Sequence, residues 1–402
     1  MRQIILALPA SYPYGGAQAT RFQWMAEGLR RSGWGCRVVG VIAKGSEHRD
    51  WQVDELGTKY LNLPVPRWPC SGSDVGDALK SGVRRAYDEQ TFDVLIAYGP
   101  YWTPIKQCLG YAHERRATAI VDCTEWYAFR PWRLTNAYYR DHVRFRKHLR
   151  GSDGAIAVSR YWEQYITAKG VKCFRFPAVC SADVPVKAHA SESRPEGATI
   201  KVGYFGAPSR RNMVHTMLDA VRIARLAGTP VELNCYGHWA GTAGTGIARR
   251  IQRDSVLRDS VRIGGFLPGR EAVFDTIREL DAVILLRDND VTSRACFPTR
   301  LVEYMMCGVP AITSRSGDID EYVADEESAY LVPAGHRPHE VANAMARVAS
   351  DLPASRRIGL NGAIVARRRF CHITVSRSLS NWLDQFVDAD HGVARCGLPE
   401  SV

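Results

Sequence analysis

The chain has 402 residues, 46% of them hydrophobic and 24% charged, which is the balance of a globular protein and a length suited to two domains rather than one core. No stretch of about 18 apolar residues exists, which excludes a membrane-spanning helix. The eleven cysteines are odd in number and lack a CxxC pair or a Cys/His cluster, which argues for reduced thiols and against a disulfide framework or zinc site; the formal charge of +11 permits an anionic partner without choosing one.

Residues 1–180 read as a first α/β domain. The apolar run after Met1 is too short for a signal peptide, and Pro9 followed by a glycine loop fits a first buried strand over residues 3–8. The loop 12–18, a helix over about 19–32 and a strand over 33–42 then make a βαβ unit. Gly15 and Gly16 fall at the strand's C-terminal end, where open parallel sheets bind ligands. A glycine pair allows close backbone approach and free amides near a helix start, although many such pairs are only turns. Further strands are expected at 93–98 and 119–122. Asp122 and Glu125 lie where the second of these runs out, a place where Asp122 also suits a helix cap.

From Trp126 to Arg150 the chain interleaves Trp126, Tyr127, Trp132, Tyr138 and Tyr139 with Arg130, Arg133, Arg140, Arg144, Arg146, Lys147 and Arg150. That pattern suits an anionic membrane interface or stacking on sugars and bases, and equally a solvated helix whose aromatics face the core. A strand over 151–159 and a helix from about 160 close the domain.

Residues 181–199 are polar and aperiodic and read as a linker, and 200–372 as the second domain. Its first strand, 200–206, leads into Ala-Pro-Ser-Arg-Arg-Asn (207–212). Arg210 and Arg211 in such a turn suit a diphosphate, because guanidinium forks meet phosphate oxygens at two points. The glycines of 241–246 superficially match a dinucleotide fingerprint, but the phosphate loop of this unit already lies near 206–211, so they read as a flexible loop. In the stretch 297–313, Pro298 suits a helix start, Leu301, Val302, Met305 and Met306 form one apolar stripe, and Gly308 with Pro310 ends the helix. Glu303 sits among these apolar positions. It either faces solvent, pairs with Arg300, or serves a ligand at the helix start. Two helices rich in Ala and Arg follow 338, with Arg367, Arg368 and Arg369 solvated. A last amphipathic helix over 373–390 and a loose tail over 391–402 complete the chain.

The ordered string Arg-Ile-Gly-Gly-Phe-Leu (262–267), Leu-Asp-Ala-Val-Ile-Leu-Leu (280–286), 297–313, 314–323 and Ala-Tyr-Leu-Val-Pro-Ala-Gly (329–335) resembles the donor-binding half of retaining nucleotide-sugar glycosyltransferases of family 4 (group 1), which have the GT-B fold. The resemblance implies two Rossmann-like, doubly wound parallel-sheet domains facing a deep cleft. The first binds acceptor, the second binds the nucleotide sugar, and the final helix crosses back to the first. It implies that Glu303 holds the ribose hydroxyls and that the helix opened by Pro298 brings the amides near Thr299 and Arg300 to the diphosphate. Gly206, Arg210 and Arg211 would meet the phosphates, and Phe266 and Leu267 the base through backbone groups. Gly15, Gly16 and Gln18 match the family's glycine loop. Asp122 and Glu125 match its acceptor side. Ala295 departs from the pattern: many members have there a first glutamate near the sugar hydroxyls, and Asp288 or Asp290 are the nearby substitutes.

The reaction so implied moves a sugar from a nucleotide-diphosphate donor to an acceptor hydroxyl with retention, with no metal and no cofactor beyond the donor. Arg210 and Arg211 would stabilise the leaving group, with Asp122 and Glu125 serving the acceptor. The acceptor would be a saccharide, a lipid-linked or a small-molecule alcohol, in surface-glycan or natural-product synthesis. The setting would be the cytoplasm or, peripherally, the inner membrane face; no nucleic-acid partner is expected. The rivals are an epimerase acting on the nucleotide sugar, an anionic-surface or nucleic-acid binding protein, and an inactive scaffold.

Overall fold

The computed structural model describes residues 1–48, 50–66, 71–129, 136–187, 197–335 and 337–393, with Arg210 and 389–393 described in backbone alone. Arg130, Trp132 and Arg133, most of the expected linker, and the tail beyond 393 lie outside the described residues. The chain forms two compact units. The first comprises Met1–Val179, Ala295–Phe297 and the chain from His372; the second comprises Cys180–Arg294 and Pro298–Cys371.

The first unit is built on an eight-stranded sheet of β1 (Gln3–Ala7), β2 (Gly35–Ala43), β3 (Gln52–Val53), β4 (Lys59–Val65), β5 (Val94–Tyr98), β6 (Thr118–Cys123), β7 (Gly154–Ala157) and β8 (Lys172–Arg175). Their spatial order is β3-β4-β2-β1-β5-β6-β7-β8, and every pair but β3–β4 is parallel. The second unit carries six parallel strands, β9 (Ile200–Phe205), β10 (Val231–Tyr236), β11 (Val261–Gly265), β12 (Ala282–Leu285), β13 (Ala311–Ser314) and β14 (Tyr330–Val332), in the order β11-β10-β9-β12-β13-β14. Strands such as Gln-Ile-Ile-Leu-Ala and Ala-Val-Ile-Leu are buried at every position, as parallel strands covered on both faces must be.

In each sheet the direction of winding reverses once, between β1 and β5 in the first and between β9 and β12 in the second. Loops leaving the strand ends on either side of such a reversal diverge and leave a crevice. The sequences 9–18, 99–101, 206–212 and 286–290 therefore occupy the positions where this topology binds ligands.

Two local expectations are revised. Residues 242–253 are a helix rather than a flexible loop: Ile247 and Ile251 are buried one turn apart, and a side chain at Gly244 would collide with the carbonyl of Trp239. The described part of the expected linker is packed on the second unit, where the Lys187 amide donates to the Cys307 carbonyl at 2.8 Å. The last helix runs from His372 to Val393 and packs on the helix Ala17–Arg31 of the first unit.

That helix pair depends on Gly28. A Cβ there would stand 2.7 Å from the His372 carbonyl oxygen and against the Ser376 side chain, while Trp34 Nε1 donates to Ser380 Oγ at 2.9 Å beside it. Gly28→Ala ordinarily gains up to about 1 kcal/mol of helix propensity, but crowding of this kind costs roughly 1–3 kcal/mol. A lowered melting temperature is expected in thermal denaturation. An unchanged or raised one would show that the two helices do not approach so closely.

Candidate active site

In the second unit the crevice between β9 and β12 is built from glycine turns and one short helix. The amide of Gly206 donates to the carbonyl of Tyr236 (2.8 Å) and that of Gly237 to Gly265 (2.7 Å), which draws the ends of β9, β10 and β11 together. Gly237 has φ 136°, and a Cβ there would lie 2.7 Å from the Gly206 oxygen, so no larger residue fits. The following turn, Arg210–Asn212, is held by Tyr204 Oη and Asn212 Nδ2, which both donate to the Ala207 carbonyl (2.9 and 2.8 Å). Arg287, in the loop after β12, donates from Nη1 to Asn212 Oδ1 at 2.5 Å and from its amide to Ser314 Oγ at 2.9 Å. A cation therefore spans the crevice directly beside exposed Arg211. The Arg210 side chain lies outside the described residues.

The helix Thr299–Met306 begins at Pro298, φ −78°, and leaves the amides of Thr299 and Arg300 without intrahelical partners, while that of Leu301 donates to the Pro298 carbonyl at 3.1 Å. It is fixed to the turn by Tyr304, whose fully buried phenol oxygen accepts from the Phe205 amide at 3.2 Å. Glu303 is 6% exposed and accepts from Arg300 Nη1 at 2.5 Å. The pairing open in the sequence is thus made, and burial accompanies it. A buried carboxylate needs such a partner, and its field raises the pKa of Arg300 against the opposing effect of burial. Thr299 and Pro298 are half-buried, as is Leu267, whereas the Phe266 ring is 71% exposed and meets the His238 ring edge-on at 6.3 Å. Ala295 is fully buried, and its carbonyl accepts from Ser159 Oγ, a residue of the same unit. Of its suggested substitutes, Asp290 caps the short helix Val291–Arg294 by accepting from the Ser293 amide, whereas Asp288 is exposed.

In the first unit a cavity of about 460 Å³ opens at the β1/β5 crevice. Pro9 and Gln18 line it from the glycine loop, Tyr98 and Tyr101 from the end of β5, Glu125 and Tyr127 from the end of β6. Gly16, φ 87°, starts the helix Ala17–Arg31, and at Gly15 a Cβ would strike the Ser11 carbonyl. Tyr138, from the helix Ala137–His148, closes one side of the cavity; its ring is tilted against Tyr101, which stacks on Tyr127 at 5.7 Å and 12°. Tyr101 Oη donates to Tyr127 Oη (3.0 Å), which donates to Glu125 Oε2 (2.5 Å). Burial and the neighbouring carboxylate push the Tyr127 phenol far up, so it remains a donor.

Asp122 is a correction to the sequence reading. It is wholly buried, and its oxygens are held two-point by Arg21 Nε and Nη2 (2.7 and 2.8 Å), while Arg21 also donates to the carbonyls of Phe176 and Pro177. Both carboxylate oxygens are paired inside the sheet, so Asp122 ties the helix Ala17–Arg31 to β6 and presents no exposed surface. Glu125, three residues on, is the carboxylate the cavity receives.

Two residues absent from the sequence reading organise these sites. Arg287 is one. The other is His142, fully buried, whose Nδ1 donates to the Pro100 carbonyl (3.0 Å) and whose Nε2 accepts from the Tyr127 amide (3.2 Å). It thereby ties the loops after β5 and β6 and requires a neutral ring. A larger cavity, about 820 Å³, lies at the opposite end of the same sheet. Its arginines are already engaged, Arg30 with the Leu56 carbonyl, Arg31 with Glu27, and Arg37 with the Ala86 and Gln90 carbonyls. Size alone does not make it the active site.

The family profile described as "Glycosyl transferases group 1" matches residues 199–351, and that described as "Glycosyl transferase 4-like domain" matches 16–175. The chain belongs to the group 1 glycosyltransferases. Its two parallel-sheet units have the GT-B architecture of solved relatives. Sucrose-phosphate synthase from Thermosynechococcus elongatus superposes with a TM-score of 0.76 at 16% identity, over 97% of this chain and all of that one. Anabaena HepE, solved with UDP-glucose, gives 0.69 at 17% over 95% and 99%. A variant of TarM from S. aureus, solved with fondaparinux, α-GlcNAc-glycerol and UDP, gives 0.65 at 10% over 96% and 100%. No curated protein sequence matches the chain.

For this glycosyltransferase, His142 generates a pH test. Burial, with the Arg146 charge adding to it, pushes its pKa down to about 4, against the hydrogen bond to Pro100. The folded pKa is below the unfolded value near 6.5, so the contribution is intact above pH 6.5 and is lost as pH falls towards 4. Urea unfolding should show roughly 3 kcal/mol of stability lost across that window beyond the loss in His142→Gln, at about 1.4 kcal/mol per pKa unit. Parallel pH profiles for the two proteins would contradict a buried neutral imidazole.

Proposed function

We propose that this glycosyltransferase moves a hexosyl unit from a nucleoside-diphosphate sugar to an acceptor hydroxyl with retention. The second unit binds the donor. The observation that carries the reading is the convergence at one sheet crevice of buried Glu303, the amides at the start of its helix, the turn bearing Arg211, and Arg287 from the loop after β12. Glu303 accepts from the ribose hydroxyls. Arg211, Arg287 and the amides of Thr299 and Arg300 meet the diphosphate, with Gly206 leaving the backbone open to it. Arg210 joins them by its place in the same turn. Phe266 and Leu267 border the base.

In transfer, the acceptor oxygen bonds to the anomeric carbon as the bond to the diphosphate oxygen breaks, on one face of the sugar and without a protein nucleophile. The acceptor proton leaves with the diphosphate. Negative charge develops on that leaving group, and preorganised guanidinium and amide donors stabilise it most where water is excluded. The reading assigns this work to the protein's own cations and needs no cofactor. Asp288, exposed beside Arg287, takes the place of the missing carboxylate at Ala295 in contacting the donor sugar. Glu125 orients the acceptor hydroxyl in the first unit. The complexes of HepE with UDP-glucose and TarM with a glycoside and UDP support both halves of this assignment. We place the reaction in cytoplasmic surface-glycan or natural-product synthesis, where exposed Arg140, Arg144 and Lys147 on one helix suit an anionic membrane surface.

Calorimetric titration with UDP, GDP, ADP and dTDP should reveal micromolar binding of one nucleotide. Glu303→Gln should weaken it about tenfold or more, the worth of hydrogen bonds to a charged acceptor. Arg211→Ala should lower turnover more than nucleoside affinity. Equal nucleotide affinity in the wild type and Glu303→Gln would remove the donor assignment.

A further inference from the structure

The cavity of the first unit has a chemistry more specific than a general acceptor site. Four tyrosines, Tyr98, Tyr101, Tyr127 and Tyr138, come to it from three elements, together with Pro9, Pro100, Pro104 and Val75. The near-parallel pair Tyr101–Tyr127 and the tilted Tyr138 supply flat faces. Their polar ends are largely consumed: Tyr101 donates to Tyr127 and Tyr127 to Glu125 Oε2. What Tyr101 and Tyr127 leave for a guest is ring surface, with Gln18, Ser71 and Ser73 as further polar lining and a carboxylate at the end of the tyrosine chain able to accept one more hydrogen bond.

Charge narrows the guest further. The lining includes two carboxylates, Glu125 and Asp141, against the single cation Arg144, which is exposed at the edge. Asp141 is already satisfied by the amide and hydroxyl of Thr103 (2.9 and 2.5 Å), so it repels an anion without offering a guest hydroxyl a vacant acceptor. A phosphate or carboxylate entering here would lose water beside two like charges and gain no buried cation. A neutral ring would meet aromatic faces, and its hydroxyl would donate to Glu125. The volume, about 460 Å³, is within the range of pockets for small molecules.

We infer that the acceptor is an uncharged hydroxylated ring compound, stacked on Tyr101, Tyr127 and Tyr138 with the reacting hydroxyl directed to Glu125, and that phosphorylated sugars are excluded from this pocket. This rests on the reading of the first unit as the acceptor side. The recognised chemistry, a flat face plus a neutral hydroxyl, is shared by a sugar ring and a phenol.

The test uses the intact protein without donor and saturation-transfer NMR titrations of four probes. These are p-nitrophenyl β-glucoside, methyl β-glucoside, p-nitrophenol and glucose 6-phosphate. The aryl glucoside should bind at least about tenfold more tightly than glucose 6-phosphate. Tyr138→Ala should weaken it about fivefold, equivalent to roughly 1 kcal/mol of ring contact. Retained binding of methyl glucoside assigns the ring site to a sugar, and of p-nitrophenol to a phenol; either supports the inference. Glucose 6-phosphate binding as well as the aryl glucoside, no ring compound binding, or no effect of Tyr138→Ala would overturn it. Nucleotide titration of the same samples separates the two readings. Unchanged nucleotide affinity in Tyr138→Ala reports an intact fold, and loss of nucleotide binding in the wild type would contradict the donor assignment and leave the ring result standing.

Discussion

Within the second unit, the Phe205 amide at the end of β9 donates to the phenol of Tyr304, a side chain that has no other route out of the core. A buried tyrosine hydroxyl must find a partner, and here the partner is the strand that carries the Gly206–Asn212 turn. The hydrogen bond therefore fixes the position of a helix start relative to a turn. Glu303 precedes Tyr304 by one residue and so projects about 100° round the same helix, with Arg300 one turn back to neutralise it. The turn's own conformation is held from the far side of the crevice by Arg287. In the donor role proposed for this crevice, the electrostatic groups must not reorganise as charge develops, and these contacts hold them still.

The first unit solves a parallel problem with an imidazole. The loops after β5 and β6 leave neighbouring strands on one side of the switch point, and the strand pairing alone does not set the distance between them. His142 bridges them through a carbonyl on one and an amide on the other. Because it must accept and donate at once, it holds the loops only while neutral, and its burial keeps it so. The buried pair Arg21–Asp122 does the corresponding work one layer deeper, joining the first helix to β6. Removing either partner of such a pair leaves an uncompensated charge in the core, a loss of about 3–5 kcal/mol.

Much of this was legible in the sequence where the signal is local. Strands such as Val94–Tyr98 and Ala282–Leu285 are short apolar runs, and the helix Thr299–Met306 is bracketed by Pro298 and Gly308. The turn 207–212 follows its strand directly. Glu303 stood out because a carboxylate interrupts an apolar stripe. What escaped was non-local. Asp122 looked like a site residue because it ends a strand at the ligand edge, and only the fold brings Arg21, 101 positions earlier, to both of its oxygens. Residues 241–246 looked like a loop because glycines lower helix propensity, yet packing of Ile247 and Ile251 overrides that preference. Arg287 and His142 belong to no motif; each acts through a partner supplied by another element. Of the ring-rich residues 126–150, Trp126 is buried, as the core-facing reading expects, while Tyr127 and Tyr138 line the cavity.

If a nucleoside diphosphate is held by the crevice of the second sheet, the amides around that crevice must be protected when it binds. Amide hydrogen exchange of the intact chain with and without saturating UDP, and then GDP, ADP and dTDP, tests it at the residues concerned. For the nucleotide that binds, the account predicts slowed exchange concentrated at 206–212 and 299–304. Unchanged exchange there with all four, or protection centred instead on the Trp34 and Trp51 cavity of the first unit, would contradict it.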